Sequence, residues 1–206
     1  MKKVSRAFLI IMGLRILLIG DGYSESNKSI NLEFELLALF VKDCFFEKIP
    51  SALGKCDDCN KSFSLGSYSH IHILRGMAIS IESKHPNLVN LSEKKLEQIS
   101  LEFYQNISIS NRFIHLLNHP DNSGFYIPYH LTSPRFIQTV YENTIVSTAI
   151  GSSYELLSEL ELIKSFIQSE VQYYNPKKWS NLIEILDSLL FFTKKTIEQK
   201  LIIEFL

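Results

Sequence analysis

The sequence has none of the strings that announce a catalytic or nucleotide-binding centre. It contains no G-x-S-x-G elbow, no H-E-x-x-H and no P-loop. It also lacks a Ser…His…Asp order or a carboxylate pair whose spacing would bring two acids together. Gly20-Asp21-Gly22 falls short of a dinucleotide fingerprint, because the third glycine and the helix opening are missing. No internal repeat or low-complexity tract interrupts the chain. Charge of one sign is also absent. Twenty-one Lys and Arg oppose 22 Asp and Glu, for a net charge of −1. A protein that grips a nucleic-acid backbone needs a clustered positive face, so no nucleic-acid partner is expected. Cysteine is scarce and odd in number: Cys44, Cys56 and Cys59. The Cys56-Asp57-Asp58-Cys59 spacing fits free thiols, a local disulfide or half a metal site. A zinc site would need a second half, and His70-Ile71-His72 does not have the usual spacing. No metal and no cofactor are expected.

What is present is an ordinary globular mix. Hydrophobic residues make up 46% and charged residues 21% of 206 positions, enough for one domain with its own core. Residues 1–26 form a signal-like or apolar N-terminal segment, and 27–206 a single globular domain. Met1 to Arg6 is basic and Ala7 to Gly20 apolar, with small residues following, as in an export signal. Arg15 argues against membrane insertion. The run therefore fits a cleaved signal, a core strand or helix, or an uncleaved anchor. The first places the protein outside the cytoplasm or in the periplasm, the second leaves it cytoplasmic, and the third gives its only membrane contact. Ser24 to Ser29 reads as a linker, which makes the segment before it dispensable for folding.

Helical periodicity runs through residues 31–49 up to Pro50, and 51–67 reads as loop. A helix is expected from Ser69 to Lys84, burying Leu74, Met77, Ala78 and Ile81. Ser92 can cap the next, with Leu96, Ile99 and Phe103 on one face. Phe113 to Leu117 and Phe125 to Ile127 flank the turn-former Asp121-Asn122-Ser123-Gly124 and suggest a hairpin. Pro128 makes its second strand short or places it at an edge. Ser152 and Glu155 form a capping box ahead of Leu156, Leu160, Ile163 and Ile167. Asn175-Pro176 opens a last helix to about Lys200, with Trp179, Leu182, Ile183, Leu186, Leu189 and Leu190 as its apolar stripe. The fold class expected is α+β, mostly helical, with one small antiparallel hairpin or sheet.

The unusual polar residues gather in three strings: Gly66 to Arg75, His119 to Pro128, and Gly151 to Leu157. Tyr68, His72 and Arg75 share a helix face. They could bind an anion or a carbonyl, or form a polar face satisfied by loop carbonyls. His119 and Asp121 could ligate or act as base and orienter, or Asp121 could simply close its turn. The binding candidates are Tyr68, His72, Arg75, His119, Asp121 and Tyr126, with Arg75 expected to hold Asp121. No catalytic residue is assigned.

These strings resemble a small bacterial family. The similar features are the Ser67 to Arg75 string, His119 to Pro128, Gly151 to Glu161, and Trp179 to Phe205, over roughly residues 60 to 206. That family prefers Ser where Pro120 stands here. The resemblance implies the immunity and accessory proteins found near bacterial toxins. The functional expectation is therefore a non-enzymatic binding protein that neutralises a protein partner, a toxin being the foremost case. The alternative is a small-ligand binder or hydrolase-like enzyme using the Tyr/His/Arg and His/Asp groups.

Overall fold

The computed structural model describes residues 13–19, 62–86, 88–106, 108–119, 124–141, 144–171 and 176–205. The expected helix at 31–49, the Ser24 to Ser29 linker, the three cysteines and Asp121 lie outside these residues.

Strand β1 (Gly13–Ile19) and strand β2 (Ser62–Ser67) lead into helix α1 (Tyr68–Glu82). Helices α2 (Glu93–Gln105) and α3 (Ile114–Leu117) follow. Next come strands β3 (Phe125–Ile127), β4 (Arg135–Tyr141) and β5 (Thr144–Ser152). Helices α4 (Ser153–Val171) and α5 (Ser180–Gln199) and strand β6 (Ile202–Phe205) complete the order. The class is α+β and mostly helical. The sheet has six strands in the order β2-β1-β6-β3-β5-β4. It is mixed, because β3 runs parallel to β5 and antiparallel to β6.

Local chemistry explains much of this. Leu74, Met77, Ala78 and Ile81 of α1 are all buried. Gly76 lets α2 approach, since a Cβ there would collide with the backbone of Leu96. Ser92 caps α2 by accepting from the Lys95 amide at 3.3 Å, and Ser152 caps α4 through the Glu155 amide at 3.2 Å. Leu156, Leu160, Ile163 and Ile167 share one core with Leu182, Leu186 and Leu189 of α5. Helix α5 stops at Lys200, whose left-handed backbone (φ 53°) turns the chain into β6.

Several expectations are corrected. Phe113 to Leu117 is not a strand, because residues 114–117 close one helical turn. Among the described residues the hairpin is β4–β5, paired from Arg135↔Ile150 to Tyr141↔Thr144. Strand β3 is short, as Pro128 requires, yet internal to the sheet rather than at its edge. Residues 62–67 are a strand and not loop. Pro176 opens a 3-10 turn through Trp179, and α5 starts only after it. The backbone amides of Asn181 and Leu182 are then capped by a carboxylate oxygen of Glu93, at 3.0 and 3.1 Å. Of the three readings of the N-terminal run, the core strand describes residues 13–19. They pair with β2 on one side and β6 on the other, so removing residues 1–26 takes out an internal strand.

Candidate functional site

The three polar strings converge around the single turn of α3. Such a short helix leaves most of its amides and carbonyls without helical partners, and buried backbone groups must be satisfied. Side chains from four other elements supply the bonds. Glu159 of α4 accepts from the amides of His115 and Leu116, at 2.8 and 2.7 Å. At the other end, Arg75 of α1 donates through Nε to the Leu116 carbonyl at 3.0 Å and through Nη2 to the His119 carbonyl. Tyr126 of β3 donates to the His115 carbonyl at 2.7 Å. Tyr104 of α2 donates to the Leu117 carbonyl, also at 2.7 Å.

His115 ties this knot to the sheet. The Ser152 amide donates to its Nδ1 at 3.1 Å, so Nε2 carries the proton and donates to the Leu131 carbonyl at 2.8 Å. Burial pushes the imidazole below its ordinary pKa, against the Leu131 hydrogen bond and the charge of Glu155. His119 donates through Nε2 to the Phe125 carbonyl at 3.1 Å and stacks on Tyr126 at 4.2 Å between ring centroids. Gly151 leaves room for that stack, since a Cβ would lie 2.5 Å from the Tyr126 ring. Burial pushes Tyr126 well above its ordinary pKa, with Arg75 opposing. It pushes Glu159 up to about 8, outweighing the two amide hydrogen bonds that favour the carboxylate.

Above the knot lies an open cleft of about 400 Å³, lined by His72, Arg75, Leu101, Tyr104, Asn118, His119 and Phe136. Three of the sequence-derived candidates, His72, Arg75 and His119, thus meet. His72 Nδ1 lies 3.0 Å from Ser100 Oγ. Tyr126 stacks on His119. Tyr68 is half-buried against the core and does not line the cleft. The anticipated Arg75–Asp121 pair lies outside the described residues. Sequence reasoning missed His115, Glu159 and Tyr104. His115 sits inside an apolar run and Glu159 inside an apolar helix face, and each pattern break is the only signal of a buried polar role. Among the described residues, no group of three or more His, Cys, Asp or Glu side chains could hold a metal ion.

A second region is exposed. Helices α4 and α5 pack with Glu161 paired to Lys194 at 3.0 Å and Lys164 to Asp187 at 2.8 Å. On α5, Glu184 precedes Asp187 by one turn and Glu198 follows Lys194 by one turn, and both are exposed. This outer face therefore carries four carboxylates around Lys164 and Lys194, with Phe191 61% exposed among them. Other acids serve the backbone, Glu82 for the Asn111 and Arg112 amides and Glu93 for the start of α5.

A protein-family model described as "Putative DNA-mimic protein" matches residues 48–205. The chain belongs to that family. No curated protein and no solved structure is detectably similar to it. The membership agrees with a non-enzymatic, protein-binding role, while it says nothing specific of immunity. It overturns the expectation that nucleic acid has no place among the partners, because a DNA mimic engages proteins that bind DNA. The physical reason is plain. Balanced net charge argues against a protein that wraps a phosphate backbone. It does not touch one that stands in for that backbone, whose acids need only share one face.

Proposed function

We propose that this protein binds DNA-binding proteins through the α4–α5 face, in competition with duplex DNA. The family membership carries the reading, and the disposition of charge supports it. Carboxylates three or four residues apart on a helix are separated by about 4.5–6 Å along the axis. That is the same order as the phosphate repeat of about 3.4 Å of axial rise per strand. Glu184 and Asp187 have this spacing, and Glu198 lies on the same stripe about three turns further on. Glu161 of α4 faces them across the helix pair through its bond to Lys194. The arrangement is held by the buried Leu160, Ile163, Leu186 and Leu189 of the two helices. With a net charge of −1, mimicry cannot reside in bulk charge and must reside in how the acids are placed. The immunity role suggested by the family resemblance is the special case in which the protein displaced from DNA is a toxin.

The test is to immobilise the protein, pass over it an extract of cells that express it, and elute with duplex DNA. Proteins released by duplex should themselves shift a labelled duplex in a gel. The variant E161K/E184K/D187K/E198K should retain none of them. Elution that ignores duplex DNA, or a charge-reversed variant that retains the same proteins, would overturn the proposal.

A further inference from the structure

We infer that the cleft between α4 and α5 receives an arginine side chain of the partner, with Phe191 as its stacking surface. The inference rests on the reading of this face as the one that meets DNA-binding proteins, and it names the group that is met. The cleft measures about 460 Å³, and Glu161, Lys164, Asp187, Leu190, Phe191 and Lys194 are among the residues that line it. Asp187 precedes Phe191 by four residues and Lys194 follows it by three, so the three share one face of α5. Glu161 reaches the same face from α4 through its bond to Lys194 at 3.0 Å. Phe191 is 61% exposed, and its one ring contact among the described residues is the edge-on contact with Phe192, at 5.3 Å between centroids.

Carboxylates alone attract lysine and arginine alike, and the ring supplies the difference. A guanidinium is planar and weakly hydrated and lies flat on an aromatic face, whereas an ammonium is a compact, strongly hydrated point charge. The cleft's own lysines show the contrast. Lys164 reaches Asp187 Oδ1 at 2.8 Å and Lys194 reaches Glu161 Oε1, yet among the described residues neither ammonium lies over the Phe191 ring. Asp187 Oδ2 and Glu161 Oε2 hold no hydrogen bond among the described residues. A guanidinium laid on the ring therefore has acceptors on the same face for its N–H groups, without displacing either lysine. Arginine also suits the partner class. It makes the commonest base-specific contact with DNA and is drawn into narrow minor grooves, so surfaces that bind DNA commonly present one.

Fluorescence anisotropy at low salt tests it on the full chain, with two labelled peptides of equal length and charge, six arginines or six lysines alternating with glycine. The wild type should bind the arginine peptide about two- to five-fold more tightly than the lysine peptide. Phe191 is exposed, so F191L and F191W should melt close to the wild type. F191L, which keeps an apolar side chain and loses the ring, should bind both peptides equally, and F191W should keep the preference for arginine. The variant E161K/E184K/D187K/E198K should bind neither peptide. Equal affinities in the wild type, a preference that survives in F191L, or a charge-reversed variant that binds as the wild type does would each overturn the inference. Its failure is distinct from that of the DNA-mimic reading. Proteins eluted by duplex DNA from a wild type without arginine preference leave that reading standing, whereas a Phe191-dependent preference with no such proteins leaves only the arginine site.

Discussion

The knot around α3 and the face of α4–α5 both gather ionisable side chains, yet they use them in opposite ways. In the knot, Arg75 and Glu159 are 3% and 8% exposed, and each is bound to two backbone groups of α3 or its exit. Their removal would strand buried carbonyls or amides, so these groups belong to the fold. On the α4–α5 face, the paired lysines and acids are about half exposed. Water screens them, and such pairs add little to stability. The same residue types are structural where they are buried and available to a partner where they are not.

The largest expected effect is in the knot. Arg75→Ala leaves the Leu116 and His119 carbonyls without their guanidinium donors. It should cost about 3 kcal/mol or more, read by denaturant unfolding. A cost below about 1 kcal/mol would mean that the knot does not depend on Arg75.

Next is the pH dependence set by Glu159. Its folded pKa of about 8 lies above the ordinary value of 4.5, so the folded protein keeps a proton that the unfolded chain has released. The stability this contributes is complete below the unfolded value and is lost as pH rises through about 8, with an amplitude of order a few kcal/mol. Glu159→Gln keeps one acceptor oxygen for two buried amides, so it should be less stable than the wild type at pH 5, yet its stability should no longer decline toward pH 8. His115 works in the other direction. Its folded pKa is lowered, so its contribution is present above about 6.5 and lost as pH falls below that value. The two windows overlap below about 6.5, where the opposing slopes partly cancel, so the net decline should show most clearly between about 6.5 and 8, and thermal melts across pH read it. A wild type whose stability is unchanged between pH 5 and pH 8 would remove Glu159 from this account.

The smallest stability effect, and the sharpest contrast, lies on the exposed face. Lys194→Ala should change stability by no more than about 0.5 kcal/mol. It also leaves Glu161 without its counter-ion. On the proposed function, the variant should hold a DNA-binding partner to higher salt than the wild type does. A large loss of stability would place this ion pair with the knot rather than with the face.

Much of the molecule is legible in sequence wherever a local rule suffices. Helical periodicity and capping residues placed α1, α2, α4 and most of α5, since each rule acts within a few residues. The segment 113–117 differs from its expected strand because its deciding contacts come from far along the chain, whereas Phe125 to Ile127 is the short strand expected. Phe113 to Leu117 carries apolar residues that suit a strand as well as a helix. Glu159, 44 residues from His115, and Arg75, 41 residues from Leu116, close it as a helical turn. Strand β6 was hidden in the same way, because four residues have no secondary structure until β1 and β3 flank them. The candidate residues were half legible. Their unusual types marked His72, Arg75, His119 and Tyr126, and the structure gathers them. What the sequence left open was whether those groups face a ligand or the backbone.

By itself the sequence determined the helices, their caps, the apolar stripes and the near-neutral charge, all properties of local spacing and composition. Only the tertiary structure decided which charges are buried in service of α3 and which remain on the α4–α5 face. It also decided which strand is left at the edge of the sheet. Burial, charge environment and strand order depend on contacts between segments distant in sequence, and no local pattern encodes them.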